Sequence, residues 1–267
     1  MLLRTSGGSV GGPPREAFTL IELLVVIAVI SMLMAVLLPA LRKARVLAKN
    51  MRCRSNLRQI YLGWHMYLDD HDGYFYQGVN ANLDYGGWKG MVEWTPRPLN
   101  PYLRLEADLQ DKSGAKVFCC PSDRGGVPGF AIREKAFDYL GTSYQTNIFL
   151  IGQDSCGQFS TETEDLDLQI SGCLKGLNIS RVANHCRVLL IGDYGWVNQW
   201  KPKPHPRQQW KELAEWHGRA DCHNLAFLDG HTELIEVRKG YYVTDEYAVV
   251  PFAELFGLAR RIQQGYQ

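Results

Sequence analysis

The sequence lacks the fingerprints of the common enzyme classes. It has no P-loop, no dinucleotide-binding glycine motif, and no nucleophile with a base and an orienting acid at recognisable spacing. Its seven cysteines include no CxxC pair that would suggest a zinc or redox motif. We therefore predict that the protein is not an enzyme. Disulfide bonds between these cysteines are plausible if the domain lies outside the cytoplasm. Because the cysteine count is odd, at least one thiol is free or paired between chains.

Charged residues are almost absent from Phe18 to Leu38, where Glu22 is the exception. As a helix this run is about 30 Å long, which matches the hydrocarbon thickness of a bilayer. A secretory signal peptide fits poorly, because the run is too long and no small-x-small cleavage site follows it cleanly. The run therefore predicts a retained, single-pass transmembrane helix.

Glu22 needs a partner, because a carboxylate at the centre of a bilayer costs about 2.5 to 3.5 kcal/mol. No cation lies within the apolar run. A free amine created by a cut just before Phe18 would lie about one helical turn away, or a neighbouring subunit could supply it. Glu22 is therefore the candidate assembly residue. The plainer alternative is an uncleaved signal anchor with a chance glutamate.

The stretch from Ala17 to Ile30, AFTLIELLVVIAVI, closely resembles the prepilin cleavage and methylation signal of type IV pilins and type II secretion pseudopilins. The resemblance implies that a prepilin peptidase cuts between Ala17 and Phe18 and methylates the new amine, and that Glu22 is the family's glutamate. Ala17 stands where the family usually has glycine. Pro39 falls where pilin helices often carry a proline, which bends or loosens the helix.

Beyond Pro39, apolar residues recur at spacings of three and four, which predicts that the helix continues as an amphipathic stem. They are Leu41, Ala44, Leu47, Met51, Leu57, Ile60, Tyr61, Trp64, Tyr67 and Leu68. The acidic run ending at Gly73 is a helix stop, with a calcium loop as the alternative. The predicted division is a leader at 1–17, a transmembrane helix at 18–40, a stem at 41–72 and a globular head at 73–267.

The head contains an apolar strand at 188–193 and a hairpin whose arms, 224–228 and 231–237, flank the turn residues Asp229 and Gly230. Alternation in the second arm allows one face to pack on the stem and the other to face water. The predicted class is α+β, pilin-like, with a long N-terminal helix packed on an antiparallel sheet.

Three phrases in the head extend the resemblance to large pilin-like proteins found in planctomycetes and related bacteria. They are Cys120-Pro121-Ser122-Asp123, Ser143-Tyr144-x-x-Asn147, and the terminal His217, Asn224, Asp229 and Gly230. The family usually has nine residues between the terminal His and Asp-Gly, and about two more stand here. This resemblance implies a cell-envelope protein of a secretion or filament apparatus and assigns no chemistry to the head.

Seven basic residues follow the apolar run with no acid among them: Arg42, Lys43, Arg45, Lys49, Arg52, Arg54 and Arg58. The positive-inside rule alone would place the large domain in the cytoplasm. The resemblance implies the opposite orientation, with the anchor in the inner (cytoplasmic) membrane and the head in the periplasm or at the cell surface. The basic run then contacts lipid headgroups, and no nucleic-acid partner is predicted because no nucleic-acid module surrounds it.

Four side chains of the C-terminal half are candidate ligands of a divalent metal, calcium or zinc: Asp193, His217, Asp229 and His231. In the plainer interpretation Gly230 serves the turn, Asp229 bonds its own backbone and the histidines pack nearby. No cofactor is certain from the sequence.

Two functions follow. The first is a structural, pilin-like subunit that assembles with other pilin-like subunits. The second is a surface-anchored binding or metal-dependent hydrolytic head that uses the pilin signal only as an anchor. A metal site in a cleft lined by Trp88 and Trp94 would favour the second function, and a head packed continuously along the stem would favour the first.

Overall fold

The computed structural model describes residues 19–78, 83–92, 97–106, 110–125, 134–151, 177–197, 216–219 and 221–264. The chain divides into two compact units, Met1–Arg45 and Val46–Gln267. The second unit begins inside the stretch 41–72, so most of the predicted stem belongs to the same compact body as the head.

One long helix, α1, spans Leu20–Asp70. Its apolar part is long enough to cross a membrane, with a mean hydropathy of 2.9 over 18 residues, none of them buried. In a bilayer a helix satisfies every backbone polar group within the segment, which is why such a composition folds this way. Pro39 lies inside α1 without ending it. Its missing N–H removes one intrahelical bond, and a bend there stays a prediction.

The buried face of α1 begins later than the sequence pattern suggested. Its buried residues are Cys53, Asn56, Leu57, Ile60, Gly63, Trp64, Tyr67 and Leu68. Leu47 and Met51, which the pattern included, are exposed. Cys53 and Asn56, which the pattern left out, are enclosed by the head. Helical periodicity identifies a face correctly, but it does not reveal where along that face the packing partner starts.

The helix ends where the acidic run predicted. The N–H of Gly73 donates to the carbonyl of Leu68 over 2.7 Å, and Gly73 takes a left-handed φ of 79°. This 6→1 bond is the C-terminal closure that glycine permits. Asp72 also has a positive φ, of 53°.

Within its described residues the head has a four-stranded antiparallel sheet in the order β1-β2-β3-β4. The strands are β1 (Tyr144–Thr146), β2 (Leu189–Asp193), β3 (Cys222–Phe227) and β4 (Thr232–Glu236). Beside four 3₁₀ turns, the described residues form two further α-helices, α2 (Ala136–Leu140) and α3 (Phe256–Gln264). Strands β1, β2 and β3 are buried along their whole length. Strands β1 and β4 form the two edges of the sheet, and β4 exposes Glu233 and Glu236. The predicted α+β class with an antiparallel sheet is confirmed.

The β3–β4 turn has three residues instead of the two that the sequence predicted. The N–H of Phe227 donates to the carbonyl of His231 over 3.0 Å, and the N–H of Gly230 donates to the carbonyl of Phe227 over 3.0 Å. Gly230 has a φ of 90°, as the bulged position of a three-residue hairpin loop requires. A Cβ on Gly230 would also meet the Tyr61 ring at 2.4 Å. The turn therefore packs directly against α1.

Arg97 is a buried cation that ties several loops together. Its Nη1 donates to the carbonyls of Leu83 and Gly86 over 2.7 and 2.9 Å, and its Nη2 donates to that of Leu140 over 2.9 Å. Burial lowers the pKa of the guanidinium to about 10 despite the attraction of Asp84, which leaves it charged at neutral pH. The group supplies donors to carbonyls that would otherwise be buried without partners.

Replacing this guanidinium should destabilise the head strongly. We expect Arg97→Met to lower the free energy of unfolding by about 3 kcal/mol, because several buried carbonyls lose their donors. Urea unfolding of the full chain in detergent, followed by tryptophan fluorescence, measures the change. Arg58→Met, at an exposed position of α1, should change it by less than about 0.5 kcal/mol. Equal effects of both substitutions would contradict this role.

Candidate functional site

Thr19 and Glu22 form a reciprocal pair at the start of α1. The N–H and hydroxyl of Thr19 donate to Glu22 Oε2 over 2.9 and 2.7 Å, and the N–H of Glu22 donates to Thr19 Oγ1 over 3.2 Å. This is a capping box, which satisfies donors that the first helical turn leaves unpaired. Ala17 and Phe18 lie outside the described residues. Glu22 therefore has a local role in starting the helix, and its pairing with an amine stays a prediction.

The segment Cys120-Pro121-Ser122-Asp123 contacts the segment around Ser143 through the carboxylate of Asp123. Asp123 Oδ2 accepts the Ser143 hydroxyl over 2.7 Å and the N–H of Phe137 over 2.9 Å. Asp123 Oδ1 accepts the N–H groups of Gly125 and Ala136 over 2.9 and 3.1 Å. One buried carboxylate thus caps the start of α2 and joins two distant loops. Pro121 and Ser122 occupy the turn that presents it.

The remaining residues of these phrases join the sheet to its surroundings. Asn147 Nδ2 donates to the carbonyls of Leu189 and Val249, both over 2.8 Å. The Tyr144 hydroxyl accepts a bond of 3.2 Å from Asn56 Nδ2 on α1. These buried side chains connect separate segments of the chain by hydrogen bonds. The bonds account for the polar residues in the two phrases.

A second junction holds two thiols, an imidazole and a carboxylate. The ligand atoms of Cys53, Cys120, Asp193 and His217 all lie within 4.8 Å of one another, and all four residues are buried. Asp193 Oδ2 lies 2.8 Å from His217 Nε2, and Cys120 Sγ lies 3.7 Å from the same nitrogen. The Cys53 thiol donates to Asp193 Oδ1 over 2.9 Å. Four polar side chains from separate segments therefore converge on one point.

The charges of this cluster stabilise one another. Burial lowers the pKa of the His217 imidazole, but the adjacent Asp193 outweighs it and raises that pKa to about 10. Burial raises the pKa of Asp193, but His217 and the hydrogen bonds it accepts hold it below its ordinary value. Burial raises the pKa of Cys53 strongly. Cys120 keeps a lowered pKa against its burial, because Cys53 and His217 favour its thiolate.

The four predicted metal ligands separate into two pairs, which corrects the predicted joint site. Asp193 and His217 belong to the buried cluster, whereas Asp229 and His231 form an exposed pair with Oδ1 and Nδ1 2.6 Å apart. The N–H of Leu228 bonds the carbonyl of Val188, which lies before β2, while Asp193 ends that strand. Five residues of strand separate the pairs by about 16 Å. One ion cannot bind both.

Asp229 and Asn224 serve the hairpin and the cluster respectively. Asp229 Oδ1 accepts the N–H of His231 over 3.1 Å, as the plainer interpretation predicted. The N–H of Asn224 donates to Asp193 Oδ2 over 2.7 Å. His217 lies beside Asp193, and whether the longer spacing of the terminal phrase displaces it stays a prediction.

Cys53 and Cys120 are the residues that sequence reasoning missed as ligands. Cys53 occupies the apolar face of α1, one turn before Leu57, and a polarisable thiol on a buried helical face was the available signal. Among the described residues, Cys53, Cys119, Cys120, Cys186 and Cys222 are all free. Cys156 and Cys173 lie outside the described residues.

The aromatic cleft that would favour a hydrolytic head stays a prediction, because only one of its two tryptophans lies among the described residues. The Trp88 indole donates to the carbonyl of Phe137 over 2.7 Å, and Trp94 lies outside the described residues. The four cluster residues are enclosed between α1, β2 and two loops.

Comparisons with known proteins agree with the N-terminal motif. A family model for the prokaryotic N-terminal methylation motif matches residues 14–38. The chain is also 33% identical over 91 residues to the competence protein ComGC of Halalkalibacterium halodurans, covering 34% of this chain and 84% of that protein. No solved structure matches the chain. The chain belongs to the type IV pilin-like proteins, and its apolar N-terminal helix is a single-pass membrane anchor.

Removing the Asp123 carboxylate tests the junction of the two loop phrases. We expect Asp123→Ala to lower the free energy of unfolding by about 3 kcal/mol, because it leaves three N–H groups and one hydroxyl buried without an acceptor. Asp111→Ala is the matched control, since Asp111 bonds Ser113 in an exposed turn, and should cost less than about 0.5 kcal/mol. Urea unfolding compares the two variants, and a similar loss in both would contradict the account.

Proposed function

We propose that the protein is a pseudopilin-like structural subunit of a type II secretion or type IV pilus-like apparatus in the cell envelope. The observation that carries the proposal is the prepilin-type motif at residues 14–38 on a helix long enough to cross a membrane. The similarity to ComGC supports the same class of assembly. In this proposal the anchor lies in the inner membrane and the head lies in the periplasm or at the cell surface.

Processing comes first in the proposed sequence of events. A prepilin peptidase cuts between Ala17 and Phe18 and methylates the new amine. The anchor then remains in the bilayer until the Glu22 carboxylate pairs with the amine of a neighbouring subunit. An ion pair of this kind is favourable in a medium of low dielectric constant, where an unpaired carboxylate is costly. It sets the register between adjacent helices.

The head in this proposal makes no covalent chemistry of its own. Cys120, His217 and Asp193 are the residue types of a nucleophilic relay, but both partners contact the same ring nitrogen of His217. A relay needs the nucleophile on one nitrogen and the orienting acid on the other. The burial of all three residues also supports a structural role.

A surface-binding head is the second candidate, and one groove favours it. The groove has a volume of about 470 Å³ and lies between α1 and the β3–β4 turn. Asp69, Asp72 and Asp229 contribute carboxylates to its walls. Such a groove could hold a cation or a hydroxyl-rich polymer. The two candidates differ in whether Glu22 is needed for more than anchoring.

The mass of the mature chain tests processing directly. We expect protein purified from its native membrane to begin at Phe18 with one added methyl group, because residues 14–38 match the methylation motif. Intact-mass spectrometry measures this. A mature chain that retains Met1 would contradict the proposal.

The substitution Glu22→Gln separates assembly from helix capping. Glutamine keeps an oxygen that can accept the two bonds from Thr19, but it cannot form an ion pair with an amine. We expect normal cleavage and a roughly tenfold loss of co-purification with other pilin-like subunits, which corresponds to about 1.4 kcal/mol. Thr19→Val, which removes a capping hydroxyl and keeps the charge, is the control and should retain co-purification. Unchanged co-purification of Glu22→Gln would favour an anchor-only signal.

A further inference from the structure

The buried cluster of Cys53, Cys120, Asp193 and His217 is supplied by four separate segments. Cys53 lies on α1, Cys120 follows the 3₁₀ turn Lys116–Phe118, Asp193 ends β2, and His217 precedes β3. His217, the most accessible of the four, is only 3% exposed. Burying thiols, an imidazole and a carboxylate together is costly unless a partner compensates them all. Their convergence therefore requires an explanation.

The distances among these donors suit a small tetrahedral ion. Zinc bonds of about 2.0 to 2.3 Å place neighbouring ligand atoms roughly 3.3 to 3.8 Å apart. Cys120 Sγ and His217 Nε2 are 3.7 Å apart, which falls in that range. The other ligand atoms lie within 4.8 Å of one another, and the hydrogen-bonded pair of Asp193 and His217 is closer, at 2.8 Å. Small side-chain movements would place all four around one ion.

The imidazole of His217 is oriented as a metal ligand requires. Its Nδ1 is hydrogen-bonded to Asn50 Oδ1 on α1, so its Nε2 is directed at the cluster. An outer partner of this kind fixes the ring and its tautomer in metal sites. Asp193 is held similarly, since its Oδ2 accepts the N–H of Asn224 over 2.7 Å. The ligands are therefore held in position by a second layer of bonds.

The identity of the donors selects the metal. Two thiolates with an imidazole and one carboxylate are ligands that zinc accepts, whereas calcium takes six to eight oxygens. The Cys53 thiol donates to Asp193 Oδ1, and His217 Nε2 lies beside Asp193 Oδ2 and Cys120 Sγ. Binding a zinc ion releases to solvent the protons that the two thiols and Nε2 carry, and the ion replaces the hydrogen bonds that those protons made.

We propose that Cys53, Cys120, Asp193 and His217 form a closed zinc site that fastens the stem segment Val46–Asp70 to the sheet and loops of the head. Four protein ligands leave no open coordination position, so the site is structural and not catalytic. The site explains why a thiol stands on the buried face of α1 and why Cys120 and His217 both belong to the characteristic phrases of the head.

Metal analysis of the full chain, purified in mild detergent from its native membrane without chelator, tests the site. We expect about one zinc ion per chain, and roughly tenfold less in Cys53→Ser and Cys120→Ser. Cys119→Ser is the matched control, because Cys119 is adjacent to Cys120, half-buried and outside the cluster. Cys119→Ser should keep its zinc.

If the serine variants fail to fold, the zinc site can still be tested on the native chain. Removing zinc with a chelator should lower the midpoint of thermal unfolding, and adding zinc should restore it. Replacing zinc by Co²⁺ should give the thiolate-to-metal absorption of a tetrahedral site in the native chain and in Cys119→Ser. These readouts require no variant of a ligand residue.

Three results would overturn the proposal. The first is a native chain that contains no zinc, binds none and has Cys53 and Cys120 reacting as free thiols. The second is a disulfide between Cys53 and Cys120 in peptide mapping of the native chain. The third is zinc bound equally by the folded native chain and the folded Cys53→Ser and Cys120→Ser variants.

Discussion

The packing of the stem segment Val46–Asp70 into the head is the constraint on which the rest of the structure depends. Leu57, Ile60 and Trp64 are fully buried within the compact unit that contains the sheet. Trp64 stacks on Tyr85 with ring centroids 5.8 Å apart. Because one side of this helix is part of the core, the head cannot complete its hydrophobic interior without it. The stem is therefore an element of the head fold.

Several phrases that carry the family resemblance form buried polar contacts, some of them with that helix. Asp123 joins the loop after Cys120 to Ser143, Tyr144 reaches Asn56, and the Asp193 carboxylate contacts Cys53. Buried polar joints of this type specify one arrangement strongly, because each broken bond leaves a group unsatisfied in a medium of low dielectric constant. Such a head suits a subunit that must present the same surface in every copy of an assembly.

Local patterns predicted α1, β2 and the β3–β4 hairpin, but they did not predict β1, α2 or α3, and long-range geometry did not follow from them. The three- and four-residue spacing of apolar residues predicted the continuation of α1, and the acidic run predicted its end at Gly73. The Asp229-Gly230 turn signal between two apolar runs predicted the β3–β4 hairpin. The predicted metal set failed because Asp193 ends β2 and Asp229 follows β3, and these neighbouring strands run in opposite directions, so the two carboxylates lie at opposite ends of the strands. Cys53 was missed because its partners are distant in sequence and meet only after folding.

Native-state hydrogen exchange of the full chain in detergent micelles tests the central claim most directly. If the stem is part of the core, the amides of Leu57–Tyr67 exchange only in the same global opening that exposes β2 and β3, with the same free energy. Stem amides that exchange in a separate, lower-energy opening while the sheet stays protected would contradict it. In that case the stem would be an appendage of the head and not part of its core.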